Sequence, residues 1–131
     1  MVVWAMLVGT IVLLLTAVWH ALAVWHFAVH PARTLGRTTR ERPISPIAIE
    51  LLRFLGALNV ACVALGVLAA SAYPEGRPLT FVVLALANAS QAIVDVRVQR
   101  LGLAKGPMFG QILIGDVAFT AANLVALALT A

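Results

Sequence analysis

The stretch VVWAMLVGTIVLLLTAVWHALAVWHF, from Val2 to Phe27, decides how this chain folds, because it holds no Lys, Arg, Asp or Glu. An α-helix rises about 1.5 Å per residue and the hydrocarbon core of a bilayer is about 30 Å thick, so about 20 such residues cross it. Three further apolar runs follow: Pro46 to Ala72, Leu79 to Val98 and Met108 to Ala131. The sequence therefore predicts an all-α fold, a four-helix transmembrane bundle with helices at about 2–27, 46–72, 79–98 and 108–131. These form a single transmembrane domain over residues 1–131. Hydrophobic residues make up 63% of the chain and charged ones 11%, against roughly 25% charge in a soluble domain. A soluble fold is excluded on that ground. The longest polar stretch, His30 to Ser45, is too short for an extramembrane domain, so partners are expected in or at the membrane.

The net charge of +4 reports topology. Arg33, Arg37, Arg40 and Arg42 lie between the first two runs, Arg97, Arg100 and Lys105 between the last two, and Arg77 alone in the middle turn. Cytoplasmic loops attract Lys and Arg, so both termini are expected to be extracytoplasmic. The basic residues lack the aromatic interleaving and motifs of nucleic-acid binding. Arg-for-Lys bias and abundant Ala suggest GC-rich coding, which makes a bacterial inner (plasma) membrane the expected location. Ala21-Leu22-Ala23 imitates a signal-peptidase site, but no basic residue precedes the apolar run, and the segment is read as a retained span. Cys62, the one cysteine, lies inside the second run and forms no internal disulfide.

Local signals bound the helices. Trp4 at one end of the first helix and Trp19 and Trp25 toward the other are expected at the two membrane interfaces. His30-Pro31 should end that helix and begin a basic loop. Ser45-Pro46 supplies a capping hydroxyl and a proline at the first helical position. Tyr73-Pro74-Glu75-Gly76-Arg77-Pro78 forms a tight turn, and Gly106-Pro107 precedes the last helix. Ala57/Ala61, Cys62/Gly66/Ala70 and Ala85/Ala89 have the four-residue spacing of close helix seams.

Polar residues inside the spans carry whatever function the chain has. Asn88, Gln91, Asp95 and Gln99 share one face of the third helix, and Asp116, Thr120, Asn123 and Thr130 one face of the fourth. Lipid offers such groups no hydrogen-bond partner, so the two stripes should face each other or an internal cavity. Counting about 1.5 Å per residue from the helix ends puts Arg53 and Asp116 about 10 Å inside the same boundary, with His20 at a similar level. Glu50 and Asp95 lie somewhat nearer it. Five ionisable groups, His20, Glu50, Arg53, Asp95 and Asp116, are thus expected to converge on one layer. In one reading Arg53 pairs with Asp116 or Asp95, Asp95 also meets Arg97, and the network sets helix register. In the other, His20, Glu50, Arg53, Asn88, Gln91, Asp95, Asp116 and Asn123 form a ligand-binding site. A lipid or quinone head would suit such a site inside an apolar tunnel. The carboxylates have no metal-specific spacing, and His20, His26 and His30 share one helix end, which argues against haem ligation. No motif fixes a catalytic residue.

The stretch Leu52-Arg53-Phe54-Leu55-Gly56-Ala57-Leu58-Asn59, with Asp95-Val96-Arg97 and Gly115-Asp116, resembles the DoxX-like superfamily of small four-helix membrane proteins. The resemblance implies a four-helix bundle. It also implies kinship with accessory subunits of membrane oxidoreductases, but assigns no active-site residue. The resulting expectation is a non-catalytic accessory or assembly subunit of a larger membrane complex, in contact with membrane lipids and other membrane protein subunits and with no nucleic acid. The alternatives are a lipid- or quinone-binding protein with an inner-leaflet polar pocket, and a small proton or solute carrier.

Overall fold

The computed structural model describes residues 2–130. Met1 and Ala131, the limits of the expected domain and of its last helix, lie outside the described residues. The described chain is all-helical, with four helices long and apolar enough to span a membrane: Val3–Val29, Pro46–Ser71, Pro74–Arg100 and Gly106–Thr130. They comprise 27, 26, 27 and 25 residues, or about 37–41 Å each, enough to cross with some tilt.

Helix α1 (Val2–Ala23) continues into a π-helical turn, Val24–Val29, and so outlasts the expected end at Phe27. It stops at His30, whose φ of −124° and ψ of 46° leave the helical region. The segment beyond is not the expected loop. Pro31 opens a second helix, α2 (Pro31–Thr38), because a proline that ends one helix can stand in the first turn of another, where its missing N–H has no partner to lose.

Helix α3 (Pro46–Ser71) starts as expected, with the Ser45 hydroxyl accepting the Ile47 N–H at 3.2 Å. A single 3₁₀ turn, Pro74–Gly76, leads straight into α4 (Arg77–Arg100). That helix extends past both expected ends, since Pro78 is tolerated in its first turn and Arg97 and Arg100 suit the negative end of its dipole. Helix α5 runs over Gly106–Thr130.

The long helices form a ring in the order α3, α1, α5, α4. The pairs α4/α5 and α1/α3 pack most extensively, α1 and α5 less so, and the ring is loosest between α3 and α4. Leu13, Ala69, Phe81, Leu84 and Ala126 fill the half nearer the α3–α4 turn. Arg77 closes that end. Its guanidinium donates to the carbonyls of Ala69 (2.9 Å), Ala70 (3.0 Å) and Met6 (3.4 Å), so it caps α3 and ties α4 to α1. At the opposite end the two connections meet, Arg40 N–H donating to Leu103 O and Lys105 N–H to Thr38 O, both at 2.9 Å.

Small residues set two of the close approaches. Gly66 lies against Leu13 and Ala17 in the α1/α3 seam, and Gly56 lies so close to the backbone of Ala28 that a Cβ there would collide with it. The expected Cys62/Gly66/Ala70 seam is present. The expected Ala57/Ala61 seam is not, because both residues are exposed on the outer face of α3.

Candidate functional site

The half of the ring away from the apolar core encloses a cavity of about 540 Å³, lined by residues of all four long helices. Most of its wall is apolar, including Ala23, Phe27, Leu55, Leu58, Ala87, Val94, Met108 and Ile112. Polar groups join it from every helix: His20 from α1, Asn59 from α3, Asn88 and Gln91 from α4, and Asp116 from α5. Leu58, Ser90 and Val94, which line the cavity beside the loose α3/α4 seam, are exposed. The cavity therefore opens toward the side of the bundle.

Several of these polar side chains are held in place by neighbours. Asn59 donates its Nδ2–H to Leu55 O in its own helix at 2.8 Å, and its Oδ1 lies 2.5 Å from His20 Nδ1. Trp19 donates its indole N–H to Asp116 Oδ1 at 2.9 Å while its ring stacks on Phe119 at a centroid distance of 5.5 Å. Asn88 donates to Leu84 O at 2.9 Å. Three buried atoms of the lining residues remain without a hydrogen-bond partner: His20 Nε2, Asn88 Oδ1 and Asp116 Oδ2. Their residues are 4%, 1% and 4% exposed. Buried polar atoms are nearly always hydrogen-bonded, and leaving one unpaired costs about 1–3 kcal/mol, so three around one cavity are a departure that calls for a partner.

Of the eight expected site residues, four line the cavity: His20, Asn88, Gln91 and Asp116. Asp95 stands behind the wall, buried, accepting from Gln91 Nε2 at 3.2 Å. Asn123 lies toward the apolar core, where it donates to Thr16 Oγ1 at 3.0 Å and to Phe119 O at 2.7 Å and joins α5 to α1. Glu50 and Arg53 are elsewhere. They pair with each other at 2.5 Å on the outer face of α3, with side chains 66% and 51% exposed.

The expected convergence of five ionisable groups is thus corrected, as is the pairing of Arg53 with Asp116 or Asp95. Depth alone placed Arg53 beside Asp116, but azimuth decides which way a side chain points. At about 100° per residue, Glu50 lies about 180° and Arg53 about 120° around the helix from Asn59, which faces inward. Arg97 fails to meet Asp95 for the same reason, since residues two apart on a helix do not face each other. Among the described residues, Arg53 to Glu50 is the only ion pair, and no three His, Cys, Asp or Glu side chains are grouped to hold a metal ion.

Trp19, His26, Asn59, Ser90 and Gln111 also line the cavity without being among the expected site residues. Trp19 is expected at a membrane interface, yet its indole faces inward onto Asp116; Trp25, six residues on, is the exposed one. Asn59 stands outside the expected set, although its spacing from Cys62 and Gly66 places it on the small-residue face of α3 and so inside the bundle. No protein-family model, curated protein or solved structure matches the chain.

Proposed function

We propose that this protein binds an amphipathic, lipid-like or quinone-like molecule inside the membrane, admitting its head laterally between α3 and α4. The observation that carries the reading is the cavity of about 540 Å³ with an apolar wall and three unpartnered buried polar atoms, on His20, Asn88 and Asp116. Ligand pockets of about 300–1,000 Å³ typically combine such a wall with a few convergent polar groups. The geometry supports this role better than that of an accessory subunit, which no feature of the site calls for. A kinship with the DoxX-like superfamily remains part of the proposal, supported by the Leu52–Asn59, Asp95–Arg97 and Gly115–Asp116 segments.

The setting we propose is a bacterial plasma membrane, with both ends of the chain extracytoplasmic. Eight of the nine Lys and Arg residues stand in or near the two joined connections or in the α3 half beside them, against Arg77 at the opposite end, the asymmetry of a positive-inside topology. The cavity would then lie in the inner leaflet.

The test is to purify the full chain in a mild detergent and extract it for mass spectrometry, beside an Ala87→Phe variant that fills the cavity. A discrete lipid-like molecule retained by the parent protein and lost from the variant is the expected result. A parent protein that carries nothing beyond bulk lipid and detergent, or a variant that retains the same molecule, overturns the proposal.

A further inference from the structure

The direction of each hydrogen bond around the cavity follows from its neighbours. Asn88 and Asn59 both donate their amide N–H to the carbonyl four residues earlier in their own helix, at Leu84 and Leu55. Those carbonyls can only accept, which fixes the amide orientation and leaves each Oδ1 as an acceptor. Asn59 Oδ1 lies against His20 Nδ1, so the ring proton is on Nδ1 and the neutral imidazole presents a lone pair at Nε2. Asp116 Oδ1 takes the Trp19 N–H, and Oδ2 accepts when the carboxyl is ionised and can donate when it is protonated. Two of the three unpartnered atoms of the lining residues, His20 Nε2 and Asn88 Oδ1, can therefore only accept, and Asp116 Oδ2 accepts in its ionised form. Asn123 Oδ1, another unpartnered buried side-chain atom among the described residues, is an acceptor too, since its Nδ2 donates to Phe119 O.

Building on the binding role proposed above, we infer that the cavity selects an amphiphile whose head donates hydrogen bonds through hydroxyl groups, over one whose head only accepts them. A ketone, ester or ether would set lone pairs against His20 Nε2 and Asn88 Oδ1. A hydroxyl satisfies one of them with each O–H. The head is uncharged, because it arrives through hydrocarbon, where a charge is costly. Phenolic rings and glycerides with a free hydroxyl both carry hydroxyl heads of this kind.

The experiment uses the full chain in phosphatidylcholine nanodiscs, with Trp4→Phe and Trp25→Phe so that fluorescence reports Trp19 in the cavity wall. Two matched pairs are titrated: 4-nonylphenol against its methyl ether, and dioleoylglycerol against its acetyl ester. We expect at least one hydroxyl compound to bind about tenfold or more tightly than its blocked partner, the scale of one or two lost hydrogen bonds. Discrimination within the first pair identifies a phenolic ligand, and within the second a glyceride. Asn88→Leu removes one of these acceptors and should lower the ratio; the comparison in the parent protein stands even if that variant fails to fold. Equal binding of both members of each pair overturns the selectivity and leaves the binding role intact. Failure of all four compounds to bind overturns both.

Discussion

Trp19 and Asp116, 97 positions apart in the chain, meet through an indole N–H that donates to the carboxyl at 2.9 Å across the α1/α5 seam. The contact holds the carboxyl at the cavity wall with one oxygen engaged and the other free. Trp19→Phe keeps the stacking on Phe119 but removes the donor, leaving both carboxyl oxygens unsatisfied. It should destabilise the bundle by about 1 kcal/mol, the usual scale for such a bond. Thermal melting in detergent measures this, and an unchanged melting temperature would show that the bond does not hold Asp116.

Gly56 and Gly110 make a matched test of close packing. A methyl group at Gly56 would run into the backbone and Cβ of Ala28, whereas one at Gly110 meets nothing within 4 Å. Backbone cannot rotate aside as a side chain can, so Gly56→Ala should cost about 1–3 kcal/mol. Gly110→Ala should be neutral or stabilise by about 0.5–1 kcal/mol, because alanine restricts the unfolded chain and favours the helix. Equal melting of the two variants would mean that α3 and the π-helical turn of α1 stand farther apart than described.

The spans were legible because bilayer thickness is a hard ruler: a run such as Val2 to Phe27 has few other uses. The inward direction of Asn88 and Asp95 was legible for a related reason, since lipid gives them nothing to bond. Glu50 and Arg53 were misread because a depth count carries no azimuth, and their pairing on one face of α3 lets them remain outside the bundle. Trp19 was misread because an interfacial preference is statistical, while its partner Asp116 is invisible until α1 and α5 are brought together. The short helix α2 was missed because its eight residues carry no span-length signal, and Pro31 ends one helix as readily as it begins another.

Since Arg53 bonds Glu50 and not Asp116, the two sites should be energetically independent. The stability changes of Asp116→Asn and Arg53→Leu are expected to add within about 0.5 kcal/mol in a double-mutant cycle. Glu50→Gln and Arg53→Leu should couple weakly, by no more than about 1 kcal/mol, as exposed pairs do. Rescue of Asp116→Asn by Arg53→Leu would restore the discarded pairing.

Topology can be read from Arg37 and Lys105, which stand at the joined connections, where Lys105 N–H donates to Thr38 O at 2.9 Å. In a Cys62→Ala background, Arg37→Cys and Lys105→Cys should both resist a membrane-impermeant thiol reagent in intact cells and both react once the membrane is permeabilised. Tyr73→Cys, in the turn at the opposite end and 61% exposed at the parent residue, should react without permeabilisation. Labelling of Arg37→Cys and Lys105→Cys in intact cells, with Tyr73→Cys protected, would invert the orientation and move the cavity to the outer leaflet. Labelling of only one of the two would be a deeper failure, because no orientation of this bundle separates residues whose backbones are tied together.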